Sequence, residues 1–172
     1  MKFRYTAILL IALGYGLGGS VLGGAVSAAA QDSFGHEAGP ENLTLLEGDS
    51  LHSAFSGRTM DGVYKAVRAR TGTAHFTETF TSDGRTLYRE GPLTGKGRWQ
   101  LSGPPGLEDI ICFVYSGSMA GPESCFTVFR SGTCLYSYHP SLITNAHPID
   151  TNRWSAKTVI RGELSSCDDL IS

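Results

Sequence analysis

Four cysteines, Cys112, Cys125, Cys134 and Cys167, and one glutamate set among phenylalanines, Glu78 between Phe76 and Phe80, are the residues best suited to chemistry. Cysteine offers three uses: metal ligand, redox pair or disulfide. No C-x-x-C occurs and no histidine stands at ligand spacing beside a cysteine, which argues against zinc and against a low-pKa redox pair. A carboxylate on an apolar strand face can bind a cation, act as an acid of raised pKa, or pair with a cross-strand arginine. The histidines, His36, His52, His75, His139 and His147, are scattered, and Ser116-Gly117-Ser118 does not belong to a G-x-S-x-G elbow. The expectation is no catalytic residue, no metal and no cofactor.

From Gly62 onward the chain reads as short β-like runs between turn residues, at 62–70, 73–81, 85–90, 97–102, 110–115, 124–130, 133–139 and 154–161. Eight runs with little helical periodicity predict an all-β, antiparallel eight-stranded barrel-like domain, because a sheet of this size must curl to bury its apolar face. Asp83-Gly84 as a two-residue turn pairs Phe80 with Leu87 and Glu78 with Arg89, so a structural ion pair between Glu78 and Arg89 is expected. Ser131-Gly132 as a second turn pairs Phe129 with Cys134 and Cys125 with Tyr138. That register puts Cys125 and Cys134 about four positions apart along neighbouring strands, beyond the ~7 Å Cα limit of a disulfide. Cys112 and Cys134 would be separated by an intervening strand. Two disulfides remain, Cys112–Cys125 and Cys134–Cys167.

The 110–139 meander has two partly apolar faces. One carries Ile111, Phe113, Tyr115, Phe126, Val128 and Leu135, and the other Phe129, Tyr136 and Tyr138 with three cysteines. One face fills the barrel. The other is expected under the Cys167-tethered tail or a short N-terminal helix.

The chain opens with Lys2 and Arg4, a long uncharged stretch and Ala28-Ala29-Ala30, the pattern of a signal peptide cleaved near Ala30. Gly14-Tyr15-Gly16-Leu17-Gly18-Gly19 spells a dinucleotide fingerprint but follows no strand, and carries no weight. The domain plan is a signal peptide at 1–30, a loosely ordered lead at 31–56 with a short helix at 49–56, and a barrel-like domain at 57–172 with its tethered tail. Residues 31–172 hold all 16 acidic residues and all but Lys2 and Arg4 of the 14 basic ones, a charge of −4 that argues against nucleic acid. The mature chain is expected to be periplasmic or secreted in a bacterium, with no transmembrane span. The basic residues Lys65, Arg68, Arg70, Arg85, Arg89, Lys96 and Arg98 read as solvated strand faces.

Residues from about Leu51 to Tyr138 resemble a group of small exported bacterial proteins classed only as a domain of unknown function. The shared pattern is Gly57-Arg58-Thr59 with Gly62, Phe76-x-Glu78-x-Phe80 before Asp83-Gly84, Gly97-x-Trp99, and Cys112-Phe113-x-Tyr115 with Cys125. The resemblance implies a secreted β-domain and assigns no activity. Gly97-x-Trp99 is also similar to the G-x-W of lipocalins, although there it belongs to the first barrel strand and here to the fourth run.

The functional expectation is a non-catalytic envelope protein that binds a small amphiphile or envelope component, with Phe76, Phe80, Trp99, Phe113 and Tyr115 as binding residues. The alternative is an inhibitor that blocks a hydrolase with a loop at 116–123 or 141–152. An enzyme comes third.

Overall fold

The computed structural model describes residues 39–104, 108–163 and 167. The signal-peptide segment lies outside them. Strand β1 (Thr44–Leu45) and helix α1 (Gly48–Phe55) precede seven strands that run up and down in sequence: β2 (Thr59–Arg68), β3 (Thr73–Phe80), β4 (Arg85–Glu90), β5 (Leu93–Ser102), β6 (Ile110–Ser116), β7 (Ser124–Ser131) and β8 (Cys134–Tyr138). After a small hairpin, β9 (Ile143–Thr144) and β10 (His147–Pro148), strand β11 (Ala156–Ile160) returns between β8 and β2. Thr158 then faces Leu135 on one side and Gly62 on the other, so eight antiparallel strands close into a barrel. Closure removes the two open edges that a flat sheet of these strands would present.

Alternation decides what fills the interior. In β4, Thr86, Tyr88 and Glu90 turn inward and are buried, while Arg85, Leu87 and Arg89 face water. Helix α1 plugs one end with Leu51, Ala54 and Phe55, which pack on Met60, Phe80 and Ile160. The Phe55 and Phe80 rings meet edge to face at 5.1 Å. Burying side chains of this size contributes roughly 1.5–3 kcal/mol each. The helix begins at Gly48, where Ser50 Oγ accepts the Glu47 N–H at 3.0 Å.

From Thr44 the lead contributes β1 and α1. Strand β6 begins at Ile110 opposite Thr127, which leaves Val128–Ser131 of β7 unpaired on that side. Strand β1 takes the place beside Phe129 and Arg130, and Leu46 N–H donates to Val128 O at 2.9 Å. The outer face of the meander is covered differently from expectation: Phe129 and Tyr138 lie beneath Trp154 and Ile143 of the 139–155 connection, with Leu43 and Leu45 of the lead. Helix α1 belongs to the inner core instead.

Both hairpin registers differ from the sequence reading. Thr81 N–H bonds Arg85 O at 2.9 Å, so the first loop has three residues, Ser82-Asp83-Gly84, with only Gly84 in the left-handed region at φ 80°. A turn followed by a left-handed glycine bulge accounts for the one-residue slip. The second turn is Gly132-Thr133, with Ser131 opposite Cys134 and Gly132 at φ 58°. That slip is of two residues, so the inward and outward faces survive it.

Both expected disulfides are present. Cys112 and Cys125 face each other across β6 and β7 at a Cα separation of 4.0 Å, and Cys134 joins Cys167 at 5.9 Å. Non-reduced peptide mapping should recover these two linkages alone. Replacing Cys112 and Cys125 together by Ala should lower stability by about 3 kcal/mol, the chain-entropy value for a loop of this size, measured by urea denaturation.

Candidate functional site

Opposite the helix end, the interior is open and holds a cavity of about 300 Å³. Glycines let side chains of this half lie close against the strand backbone. Strand β5 turns Gly95 and Gly97 inward in this half of the barrel. A Cβ at Gly97 would stand 2.5 Å from Val114 O and 2.8 Å from the Tyr115 ring, and one at Gly95 would stand 2.7 Å from Met119. Gly62 on β2 likewise lets Phe76 lie flat against the backbone. At the rim, β2 departs from regular pairing with β3 between Val63 and Arg68, as bulged strands do at barrel mouths.

A belt of rings lines the wall from strand to strand. Tyr64 stacks on Phe76 at 4.6 Å, Phe76 on Tyr88 at 5.6 Å, Tyr88 meets Tyr115 at 5.5 Å, and Tyr115 lies beside Phe113 at 6.4 Å. Met119, on the turn between β6 and β7, folds inward over Gly95, and Ala120, Gly121 and Pro122 complete that side of the mouth. Arg68 spreads its guanidinium over the Tyr64 ring at 4.4 Å.

Glu78 lines this cavity and Glu90 is buried on the inward face of β4, and their environments differ. Glu90 is fully buried, yet Arg70 donates to its Oε2 at 2.9 Å, Tyr88 OH to the same oxygen at 2.5 Å, and Thr71 Oγ1 to Oε1. Burial pushes its carboxyl up, but these hydrogen bonds together outweigh burial and hold it below the usual range. The Tyr64 and Tyr88 hydroxyls, 2.8 Å apart, continue this chain into the cavity.

Glu78 is 5 % exposed and has no cation beside it among the described residues. Thr86 Oγ1 and Tyr115 OH each donate at 2.6 Å, both to Oε1. Oε2 accepts no bond from the described residues and opens on the cavity. Burial raises the carboxyl to about 7, against the lowering effect of the two hydrogen bonds. Tyr115 moves up as well, through burial and then the neighbouring Glu78 charge, and so stays a donor.

Phe76, Phe80, Phe113 and Tyr115 of the expected binding set line this cavity. Trp99 does not. It lies at the helix end against His52 at 5.6 Å, with Nε1 donating to Thr81 O at 3.1 Å. The Glu78–Arg89 ion pair is absent: the three-residue loop places Tyr88 opposite Glu78 and turns Arg89 outward, opposite Thr77. Tyr64, Tyr88, Glu90 and Met119 escaped the sequence reading. The signal for two of them was in Arg85-Thr-Leu-Tyr-Arg-Glu90, where the arginines mark the wet face and leave Tyr88 and Glu90 inside. The histidines that fall among the described residues are exposed and apart. The grouping of ligand-type atoms at Cys112, Glu123 and Cys125 has both its sulfurs in a disulfide. No known family, curated protein or solved structure matches this chain.

The unpaired acid has a thermodynamic signature. Between pH 4.5 and about 7 folded Glu78 holds a proton that the unfolded chain has released, so stability falls as pH rises through this window, by roughly 3 kcal/mol in all. Glu78→Gln should remove that slope and be the more stable form at pH 8, as followed by urea denaturation across pH. Arg89→Ala, in contrast, should change stability by no more than about 0.5 kcal/mol in the same assay.

Proposed function

We propose that this protein is a non-catalytic binding protein of an oxidising space outside the cytoplasm, periplasmic or secreted, and that it holds a small amphiphile or envelope component inside the barrel. The observation that carries this reading is the cavity of about 300 Å³, walled by aromatic rings at the open end. Ligand sites are concave, mostly apolar and furnished with a few placed polar groups, and the mouth of a barrel is one of their usual positions. A small eight-stranded barrel ordinarily fills its interior with side chains. Here part of it stays open, which costs packing and calls for an occupant to offset it.

The two disulfides fit an oxidising compartment and match the signal-like opening of the chain. No helix among the described residues is long and apolar enough to cross a membrane. Of the two loops in the inhibitor reading, 116–123 turns Met119 inward over Gly95 at the barrel mouth, which favours the cavity.

N-phenyl-1-naphthylamine, a neutral apolar fluorophore, should enter the cavity and brighten. Ser124 stands exposed at the mouth on β7, and Ser124→Trp should fill the opening and weaken uptake at least about tenfold with an unchanged melting temperature. Native mass spectrometry of the protein isolated from its own host should show a co-purifying small mass. Equal uptake by the Ser124→Trp variant would exclude the barrel interior as the site.

A further inference from the structure

We propose that the occupant is an organic cation, whose ammonium group seats on Glu78 Oε2 within the aromatic belt. This rests on the cavity reading above and names the chemical class that the cavity selects. Three observations point the same way. Glu78 is almost wholly buried, and both of its protein donors converge on Oε1, leaving Oε2 bare and aimed at the empty space. A buried charge without a partner is costly, so the missing partner is a cation brought by the ligand. The walls beside it carry the rings of Tyr64, Phe76, Tyr88, Phe113 and Tyr115, and aromatic quadrupoles attract positive charge at the ring face.

The remaining charges agree. Arg70 is held by Glu90, and those two compensate each other within the wall. Arg68 spreads over Tyr64 at the rim. An anionic amphiphile would have to send an apolar tail past Arg68 onto the bare Glu78 oxygen, and would leave that oxygen unsatisfied. An amine-bearing amphiphile satisfies it and keeps its apolar part against the rings.

Proton linkage follows from the groups that face Glu78. Strand β4 contributes Thr86, Tyr88 and Glu90, β6 contributes Tyr115, and β2 with its following turn contributes Tyr64, Arg68 and Arg70. Strands β7, β8 and β11 contribute Ser124, Phe126, Ser137, Ala156 and Thr158, none of which titrates. Burial keeps the three tyrosines protonated, while Glu90 is held ionised by its donors. Glu78 is the wall group that changes charge near neutrality, and a cation must displace its proton at acid pH.

The test is displacement of N-phenyl-1-naphthylamine by three competitors: benzyltrimethylammonium, its uncharged carbon analogue neopentylbenzene, and decanoate. The quaternary cation does not titrate, so any pH effect belongs to the protein. At pH 8.5 benzyltrimethylammonium should compete at least about tenfold better than decanoate, and should weaken about tenfold or more at pH 5.5. Glu78→Gln should weaken the cation at least about tenfold at pH 8.5 and abolish its pH dependence, while neopentylbenzene stays within about twofold, which also reports an intact cavity. Decanoate competing better than the cation, or Glu78→Gln binding the cation like the unaltered protein, would overturn the inference and leave the cavity reading standing. If calorimetry and fluorescence show that neither the fluorophore nor the cation binds, both readings fall.

Discussion

Strand β11 pairs with β2 along five residues and with β8 along three, and without those ladders the sheet from β2 to β8 would present open edges and a wet apolar face. Closure turns one face of every strand into a shared interior. The two ends of that interior are then filled in different ways. Helix α1 brings Leu51 and Phe55 into one end, where Met60, Phe80, Ile111 and Val128 complete a dry core. In the other half β5 supplies glycines, and the rings of neighbouring strands lie against the wall rather than across the centre. The ladder therefore fixes both a plugged end and a hollow one.

The hollow end carries polar groups that an ordinary core would avoid. Glu90 is fully satisfied by Arg70, Thr71 and Tyr88, and its burial holds the rim of β4 to the turn after β2. Glu78 receives two hydroxyl donors and no counter-charge. A hydrocarbon side chain at this position would pack against Phe76 and Phe80 without a desolvation cost. Retaining an acid here lowers stability at neutral pH in return for a charged oxygen facing the cavity, the pattern expected where a site works against the fold.

Much of this was legible in the sequence because the strands alternate cleanly. All eight barrel strands overlap the eight runs, and the disulfide pairing followed from the faces on which the cysteines lie. The two-residue slip in the second hairpin keeps those faces and carries Cys125 still farther from Cys134, so the elimination survived an inexact register. The first hairpin was less forgiving. A one-residue slip exchanges the faces of β4, and it turned a buried row of Thr86, Tyr88 and Glu90 into an expected row of Leu87 and Arg89. Asp-Gly announces a tight turn but does not choose between a two-residue loop and a three-residue loop with a glycine bulge. Thr81 made the choice by pairing with Arg85. The role of the lead was hidden for another reason: β1 is two residues long, and what calls for it is a vacancy beside β7 that exists only once β6 has ended.

The placement of the disulfides separates the part of the barrel that must hold from the part that can respond. Cys112 and Cys125 point outward, one rung before Phe113 and Ser124, the last pair joining β6 to β7. Beyond that rung Val114–Ser116 pair with β5 alone, and the turn bearing Met119 rests on Gly95 rather than on β7. The staple thus fixes the hairpin where its pairing stops and leaves the rim tied from one side only. Cys134–Cys167 lies on β8, the strand that closes against β11, and does not line the cavity. That turn stands outside the barrel ladders, because those nearest the mouth, β4 with β5 and β5 with β6, do not run through it.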